Sequence, residues 1–520
     1  MNYDYVVIGA GSAGCAVAAR LAESGEYEVA LLEAGGPDDL DLIHVPAAIP
    51  FLFKSAVDWD FATEPQKQLK GRADYHPRGK TYGGTSSINA QVVQRGAHGS
   101  YDEWAEAGNK GWSFAELLPV FKRMEHNERG ASEWHGVGGP MNVADQRDPN
   151  PVSLACIEAA VEAGYARNAD FNGADQVGFG MHQVSQKDGM RCSTARGYLH
   201  PALTRENLTV IPHAHTSRLT FDDRRCTGAV YRDPSGEHTV TARREVVVSA
   251  GAFGSPQLLL LSGIGSRNQL ERHGIDLVAH LPGVGENLYD HLMVPTNHTC
   301  TQPVTMAAAS DEAQGARFAN DRMGLLTSNL AEGGGFIKLK DDRVPDVQFH
   351  FGPLFFIHHG ASNPEGHGFV AFTILSRPRS VGRVELRSAD PTDKPVIDPN
   401  YLDDERDLDV LVEGVRITQD ILSRPALDSF RGDPYPAAAM SRDDEEMRDY
   451  IRDYAQNLYH PVGTCAMGSG ENAVVDHELR VHGIEGLRVA DASVMPYIVN
   501  ANTNFPSIMI GERCAELMLG

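Results

Sequence analysis

The 520-residue chain has few cysteines, few tryptophans and no long apolar run, and these shortages exclude several classes of protein. Its seven cysteines are scattered without a CxxC pair, which excludes a dithiol active site and favours a reducing compartment. No segment reaches the roughly eighteen consecutive apolar residues that a membrane span requires. The first strand pattern begins almost at residue 1, so we expect no secretory signal and a cytoplasmic protein.

Positive charge is also scarce, since 46 basic residues face 70 acidic ones and the net charge is −24. A chain this acidic repels nucleic acid and anionic membranes, so neither is expected as a partner. The hydrophobic fraction of 42% and the charged fraction of 22% are those of an ordinary globular protein. The length is sufficient for two domains.

Residues 3–36 have the pattern of a nucleotide-binding unit. A β-branched run at 3–8 predicts a buried parallel strand, an alanine-rich run at 15–22 predicts a helix, and residues 28–32 predict a second strand. Gly9, Gly11 and Gly14 lie between the first strand and the helix. Such glycines make a tight turn, let a pyrophosphate approach the backbone and let the helix pack closely on the strand.

Glu33 ends the second strand, nineteen residues after Gly14. A carboxylate at this position accepts hydrogen bonds from the ribose hydroxyls of an adenosine and disfavours a 2′-phosphate. Lone glycine motifs also occur in ordinary strand–turn–helix corners, but the flanking elements and the acidic residue favour nucleotide binding here. The pattern does not distinguish FAD from NAD.

Later segments predict a second structural unit interleaved with the first. A hydrophobic strand at 245–249 and a helical run at 257–261 resemble a further part of the nucleotide-binding sheet. Between about 300 and 456, alternating segments predict antiparallel strands, at 346–351, 368–375 and 383–387. A helix at about 443–454 leads back to a loop, a strand and a helix of the first unit. We therefore predict two domains formed from discontinuous segments.

Five blocks in register make the chain resemble the glucose–methanol–choline (GMC) oxidoreductase family, nearest to its choline dehydrogenases and choline oxidases. They are residues 9–33, 83–89, 251–265, 282–291 and the C-terminal blocks around His460 and Asn502. The resemblance implies the α/β class, with a Rossmann-like FAD-binding domain interleaved with an α+β substrate domain built on an antiparallel sheet. We assign residues 1–148, 193–300 and 457–520 to the FAD-binding domain, and 149–192 and 301–456 to the substrate-binding domain.

The resemblance also implies oxidation of an alcohol to an aldehyde or ketone by hydride transfer to flavin N5. His460, on a loop with proline and glycine, matches the catalytic base of the family, and a neutral imidazole suits proton abstraction near pH 7. Asn502 matches the position where relatives have histidine or asparagine, and its amide can orient the alcohol oxygen. Without the family, any one of 21 histidines is more often structural than catalytic.

The same matching implies the cofactor contacts. The ADP part of FAD is expected at Gly9, Gly11, Ser12, Gly14 and Glu33, and the flavin along Gly83, Gly84, Thr85, Ser86 and Asn89. Asp491 and Ala492 are expected near the ribityl chain and Asn504 near the pyrimidine, with a helix N-cap as the alternative role of Asp491. Ile88 occupies the position where some relatives tether FAD through a histidine, so we expect non-covalent FAD.

The substrate is expected to be a small primary alcohol, either choline-like or more apolar and aromatic. Choline requires an aromatic cage and a carboxylate, for which Tyr459 and Glu332 are candidates, although a structural contact suits Glu332 better. An apolar set either lines the pocket or builds the sheet core: Phe349, Phe351, Phe355 and Phe356. Alternation favours the core for Phe349 and Phe351.

The expected partners are the alcohol, oxygen or another electron acceptor, and a second copy of the chain in a homodimer. No metal site is expected, because the pair His358 and His359 is too small a cluster. Two other functions stay open, an FAD-containing lyase of the same family that cleaves cyanohydrins and an NAD-dependent oxidoreductase. A non-catalytic flavin-binding or partner-binding protein is disfavoured because His460 and Asn502 are both present.

Overall fold

The computed structural model describes residues 1–340 and 342–520. One sheet begins at its edge with Leu208–Ile211, followed by Val29–Leu32, Asn2–Ile8 and Gly236–Val248. These neighbours pair in parallel, and residues 29–32 are buried throughout, as expected for strands covered on both faces. The strands predicted at 3–8 and 28–32 are therefore confirmed.

The strand Gly236–Val248 is long enough to pair with two strands on the side opposite Asn2–Ile8. Its first half pairs antiparallel with Arg225–Asp233, which pairs in turn with His215–Asp222. Its residues 246–248 pair in parallel with Leu487–Val489. The C-terminal part of the chain thus returns to the first sheet, as the sequence pattern predicts.

Helices from both ends of the chain cover this sheet. Ser12–Glu23 packs along Asn504–Leu519, and an ion pair joins them between the partly exposed Arg20 Nη2 and the buried Glu512 Oε1 at 2.9 Å. Gly251–Leu261 follows the long strand directly. The helices His98–Glu106 and Phe114–Met124 pack further out, and they enclose the fully buried Trp104 and Trp112.

The second sheet is antiparallel. Its order is Arg431–Tyr435, Leu292–Cys300, Gly368–Leu375, Val347–Gly352, Gly333–Ile337 and Gly178–Met181, with Gln456–Asn457 also beside Leu292–Cys300. Three helices cover one face, at Pro151–Glu162, Glu405–Leu422 and Asp444–Tyr454. The strands predicted at 346–351 and 368–375 are confirmed. Arg383–Glu385 instead pairs with Val396–Asp398 in a separate ribbon, outside the large sheet.

Alternate side chains of the strand Val347–Gly352 lie in two different environments. Phe349 and Phe351 pack with Val152 and Ile157 of the helix Pro151–Glu162, so they belong to the sheet core, as their spacing predicts. Successive side chains in a strand point to opposite faces, so Gln348 and His350 face away from that helix. This other face carries the polar groups of the candidate site.

The expected fold class is confirmed, with a Rossmann-like parallel sheet beside an antiparallel sheet. The division into domain segments stays a prediction. The strand Leu292–Cys300 lies within the second sheet, whereas the predicted boundary at residue 300 assigns it to the first domain. Over residues 1–340 and 342–520, no helix has both the length and the apolar character required to cross a membrane.

Candidate active site

A cavity of about 610 Å³ extends from the first sheet to the second. Ile8, Gly9 and Glu33 line it at the carboxyl ends of the central parallel strands. Met293, His350 and Phe372 line it from the second sheet. Open α/β sheets bind ligands at the carboxyl ends of their strands, so the position suits a nucleotide.

Helix N-termini converge on the first part of this cavity. Ser12, Gly251 and Asn504 are the first residues of their helices, and all three line the cavity. Ser12 Oγ donates a hydrogen bond to Asn504 Oδ1 at 2.7 Å, which joins two of these helix ends. Unpaired N–H groups and the positive end of the helix dipole make such positions favourable for a diphosphate.

Two glycines at this end, Gly9 and Gly14, form the turn, and a third, Gly11, leaves space for a ligand. Gly9 has φ +101°, and a Cβ on Gly14 would lie 1.9 Å from Gly9 O, so the turn requires both residues to be glycine. A Cβ on Gly11 would meet only Ser249 O, at 3.9 Å, and Gly11 lines the cavity. The space beside Gly11 lets a phosphate reach the backbone, so the residues present fit a dinucleotide.

Glu33 is a buried carboxylate at the nucleotide end. Its oxygens accept hydrogen bonds from the backbone N–H groups of Ala10 and Gly35, each at 2.8 Å. Burial raises the pKa of Glu33 to about 7. Each oxygen retains a second lone pair, so Glu33 can also accept hydrogen bonds from ribose hydroxyls.

Asp491 has two positions at once, as a cap and as part of the cavity wall. Its carboxylate accepts hydrogen bonds from the N–H groups of Ser493 and Gly251, both at 2.8 Å, and from Ser255 Oγ at 2.5 Å. It also lines the cavity, and burial raises its pKa. The cap and the position at the cavity are therefore compatible.

Most of the other residues matched to cofactor contacts also line the cavity, namely Gly84, Thr85, Asn89, Ala492 and Asn504. Gly14, Gly83 and Ser86 do not. We expected Gly83 and Ser86 along the flavin, but Ser86 Oγ donates to Gly83 O at 2.6 Å and lies 2.9 Å from Thr194 Oγ1. Both residues support the loop that carries Gly84 and Thr85.

His460 and Asn502 meet beyond the glycine-rich part. Asn502 Nδ2 lies 3.2 Å from His460 Nε2, and both residues line the cavity. Asn502 Oδ1 accepts a hydrogen bond from Gln348 Nε2 at 3.0 Å, and the same nitrogen lies 2.8 Å from His350 Nε2. With Gln348 as donor, the Asn502 amide presents its N–H to the imidazole.

The ring of His460 is oriented by His291 on its other side. His291 Nε2 lies 3.1 Å from the carbonyl oxygen of Ser376, which can only accept, so this nitrogen carries the proton. Burial lowers the pKa of His291 to about 3, so its Nδ1 is an acceptor. His460 Nδ1, 2.9 Å away, must then donate, which leaves the lone pair of His460 on Nε2 toward Asn502 and the cavity.

Arg78 and Asp290 hold the peptide before His460. Arg78 Nη1 donates to the Tyr459 carbonyl oxygen at 2.9 Å, and the His460 N–H donates to Asp290 Oδ1 at 2.8 Å. Tyr459 has φ +68°, a left-handed conformation that this pair of hydrogen bonds maintains. Burial raises the pKa of Asp290 to about 7 and lowers that of Arg78 to about 10.

Burial also determines the charge state of the imidazoles at the cavity. It lowers the pKa of His460 well below its ordinary value, with further repulsion from His291, His350 and Arg78. It lowers the pKa of His350 to about 4. Both rings are therefore neutral at pH 7, and His460 Nε2 can accept a proton.

The residues considered for substrate binding divide between structural contacts and the cavity wall. Glu332 does not line the cavity, and its oxygens accept hydrogen bonds from Ser328 Oγ at 2.6 Å and Asn150 N at 2.9 Å, the structural role that suited it better. Phe356 lines the cavity, whereas Phe355 packs against the Tyr435 ring at 6.1 Å. Tyr459 also lines the cavity.

Both ring nitrogens of His359 have protein partners. Its Nε2 lies 2.9 Å from Asp74 Oδ1 and its Nδ1 lies 2.7 Å from the Tyr459 hydroxyl. Within the described part of the chain, no group of three or more histidine, cysteine, aspartate or glutamate residues has the arrangement of a metal site.

Four residues of the site were not predicted from the sequence, namely Arg78, His291, Gln348 and His350. A signal for Gln348 and His350 is visible, since they are the polar members of an alternating strand whose other face carries Phe349 and Phe351. His291 and Arg78 lie in or beside matched motifs, but their partners are more than 80 residues away in the chain.

Comparison with known proteins identifies the family. Two models described as GMC oxidoreductase match residues 3–293 and 378–511. The chain belongs to the GMC oxidoreductase family. This GMC oxidoreductase is 43% identical to the alcohol dehydrogenase [acceptor] of Pseudomonas putida, over 99% of the chain and 96% of that protein. It is 41% identical to the oxygen-dependent choline dehydrogenase of Brucella anthropi, over 100% of the chain and 96% of that protein.

Solved structures agree with this assignment. The pyridoxine 4-oxidase from Mesorbium loti superposes with a TM-score of 0.90 at 30% identity, over 99% of this GMC oxidoreductase and 98% of that chain. A formate oxidase variant from Aspergillus oryzae superposes with a TM-score of 0.93 at 28% identity, again over 99% and 98%. The family and its fold therefore extend over almost the whole chain.

Proposed function

We propose that the protein oxidises a small primary alcohol to the aldehyde with FAD as cofactor and His460 as the base. The observation that carries this proposal is the neutral His460 ring, whose Nε2 lone pair faces Asn502 at the cavity. An unprotonated ring nitrogen at the cavity, whose partner is an amide N–H that an alcohol oxygen can take over, is suited to removal of a hydroxyl proton. The alcohol and choline dehydrogenases among the relatives support the reaction class.

FAD would be held at the nucleotide end, with its diphosphate at the helix N-termini of Ser12 and Asn504 and its ribose at Glu33. When bound, its flavin supplies the acceptor for the hydride that leaves the alcohol carbon. Ile88 has no nucleophilic atom and packs with Ile43 and Leu52, so the proposed FAD is non-covalently bound. Acid-denatured protein should release free flavin.

The proton transfer involves only residues of this chain. The Asn502 amide donates a hydrogen bond to the alcohol oxygen, and the alcohol O–H points to His460 Nε2. As the carbinol C–H bond breaks, the O–H bond also breaks and a new N–H bond forms at Nε2. The backbone hydrogen bonds to Arg78 and Asp290 keep the ring in place during the transfer.

Anaerobic mixing of the purified yellow protein with a panel of primary alcohols tests this function. The expected result is bleaching of the flavin absorbance band by at least one alcohol. A colourless protein without flavin would support the NAD-dependent alternative, and cleavage of a cyanohydrin without bleaching would support the lyase. Both results would overturn the proposal.

Admission of air after bleaching identifies the electron acceptor. Rapid return of the flavin band indicates oxygen, and slow return indicates a separate acceptor. The names of the relatives include both an acceptor-dependent and an oxygen-dependent enzyme, so they do not decide the question. Cytoplasmic location and a homodimer stay predictions.

A further inference from the structure

The cavity has an apolar end beyond His460 and Asn502. We define this apolar end by the side chains of Phe53, Met293, Leu354, Phe356, Phe372 and Leu458. Leu354 joins two hydrophobic clusters there, one containing Met293 and Phe372 and the other containing Phe53. A molecule whose carbinol group lies between His460 and Asn502 would extend the rest of its structure into this end.

Among the described residues, no carboxylate lines the apolar end. The carboxylates that do line the cavity are Glu33, Asp58, Asp393 and Asp491. Asp58, the nearest in sequence to Phe53, has both oxygens engaged: Oδ1 accepts from the N–H groups of Asp60 and Arg78, and Oδ2 accepts from Lys54 N–H and the Tyr75 hydroxyl. These four donors fill its acceptor positions, and none of the residues that define the apolar end carries a negative charge.

The aromatic rings of this end do not compensate for that missing charge. Phe356 and Phe372 meet edge to face at 5.5 Å, and Tyr459 contacts Phe53 in the same way at 5.7 Å. The Tyr459 hydroxyl lies 2.7 Å from His359 Nδ1 and is already paired. Attraction to these rings is therefore the only compensation for the hydration that a cation would lose here.

From the proposed function and this lining, we infer that the substrate is an uncharged primary alcohol with an apolar chain or ring. A quaternary ammonium alcohol such as choline does not fit. Met293 is a specificity-determining residue, because it is buried and lines this end of the cavity. Its strand neighbours Leu292 and Val294 pack against the covering helices, so alternation directs Met293 to the cavity.

Choline and 3,3-dimethylbutan-1-ol test this inference directly, because they have the same shape and differ in whether nitrogen or carbon carries the three methyl groups. Their dissociation constants can be measured from the change in flavin absorbance in the His460→Ala variant, which binds without turnover. We expect the neutral alcohol to bind at least tenfold more tightly. Equal or tighter binding of choline, or no binding of the neutral alcohol, overturns the inference.

Flavin reduction in the wild-type protein separates this inference from the proposed function. If the neutral alcohol binds but no alcohol bleaches the flavin, the proposed function fails and the binding preference stands. If choline bleaches the flavin faster than the neutral alcohol, the function stands and the inference fails.

A pair of substitutions tests the role of Met293. Met293→Glu adds a carboxylate to the apolar end, and Met293→Gln adds a neutral side chain of the same length. We expect the ratio of choline to neutral-alcohol affinity to rise at least tenfold in the glutamate variant relative to the glutamine variant. An unchanged ratio in a glutamate variant that retains its flavin contradicts the role of Met293. If that variant does not fold, the wild-type preference decides the inference.

Discussion

His291 and His460 face each other through their Nδ1 atoms at 2.9 Å. Because the Ser376 carbonyl oxygen fixes the proton of His291 on Nε2, only one arrangement of protons satisfies both rings. A carboxylate in the place of His291 would also orient His460, but it would raise the pKa of that ring and favour its cationic form. The histidine pair fixes the position of the proton without adding a charge.

Replacement of the proposed base should stop the chemistry and leave the cofactor bound. His460→Ala removes the Nε2 lone pair, whereas the FAD contacts of the nucleotide end are made by other residues. We expect the variant to stay yellow and its rate of flavin reduction to fall by at least roughly a hundredfold. Anaerobic stopped-flow absorbance measures this rate, and an unchanged value would remove His460 from the proposed role.

Replacement of His291 should alter catalysis through the orientation of His460. His291→Phe retains an aromatic ring but removes the acceptor for His460 Nδ1–H, so we expect flavin reduction to slow by about tenfold or more. His291→Asn places an amide oxygen near the former Nδ1 and should restore most of the rate. Equal rates in the two variants, at equal flavin content, would indicate that His291 has only a packing role.

Local patterns in the sequence predict the fold well. The strand at 3–8, the helix after it and Glu33 follow one another closely in the chain, so a motif of thirty-odd residues is sufficient to recognise the turn. The strands at 346–351 and 368–375 are recognisable in the sequence because alternate side chains pack against the helices that cover the sheet. Arg383–Glu385 has a similar pattern but pairs locally, and alternation alone does not identify the partner of a strand.

The environment of the base is predicted less completely. His460 and Asn502 were matched through motifs, but the groups that orient them come from distant segments, at Arg78, Asp290, His291 and Gln348. These contacts depend on how the two sheets approach each other, and no local pattern encodes that approach. Of the residues that define the apolar end, only Phe356 was among the expected pocket residues, because the side chains come from the second sheet and from connecting loops that are far apart in the chain.

The Asn502 amide provides a test of how a neighbouring charge affects His460. Asn502→Asp places a carboxylate oxygen 3 Å or so from Nε2, which favours a protonated ring and raises the pKa of His460. The wild-type pKa is well below its ordinary value, so flavin reduction should lose rate only under acidic conditions. In the aspartate variant the loss should begin at higher pH. Stopped-flow rates from pH 5 to 9 measure the shift, with Asn502→Ala as the uncharged control.

Two glycine substitutions should separate cofactor binding from folding. Gly11→Ala places a methyl group into the cavity, with no protein atom nearer than 3.9 Å, so the chain should fold and its FAD affinity should fall at least tenfold. Gly14→Ala places a methyl group 1.9 Å from Gly9 O, so it should reduce soluble, folded protein. Flavin content and circular dichroism distinguish the outcomes. A Gly11→Ala variant with normal flavin content would contradict the proposed phosphate position.

His291 also makes the stability of the protein depend on pH. Its pKa is about 3 in the folded protein and about 6.5 when unfolded, so below pH 6.5 the unfolded chain binds a proton that the folded chain does not. This histidine therefore destabilises the fold by about 2 kcal/mol between pH 7 and pH 5. His291→Asn lacks that proton uptake, so its melting temperature should fall less than that of the wild type over this interval. Substitution of the exposed His477 by asparagine serves as the control and should follow the wild type. Parallel curves for all three proteins would show that His291 is not held neutral by burial.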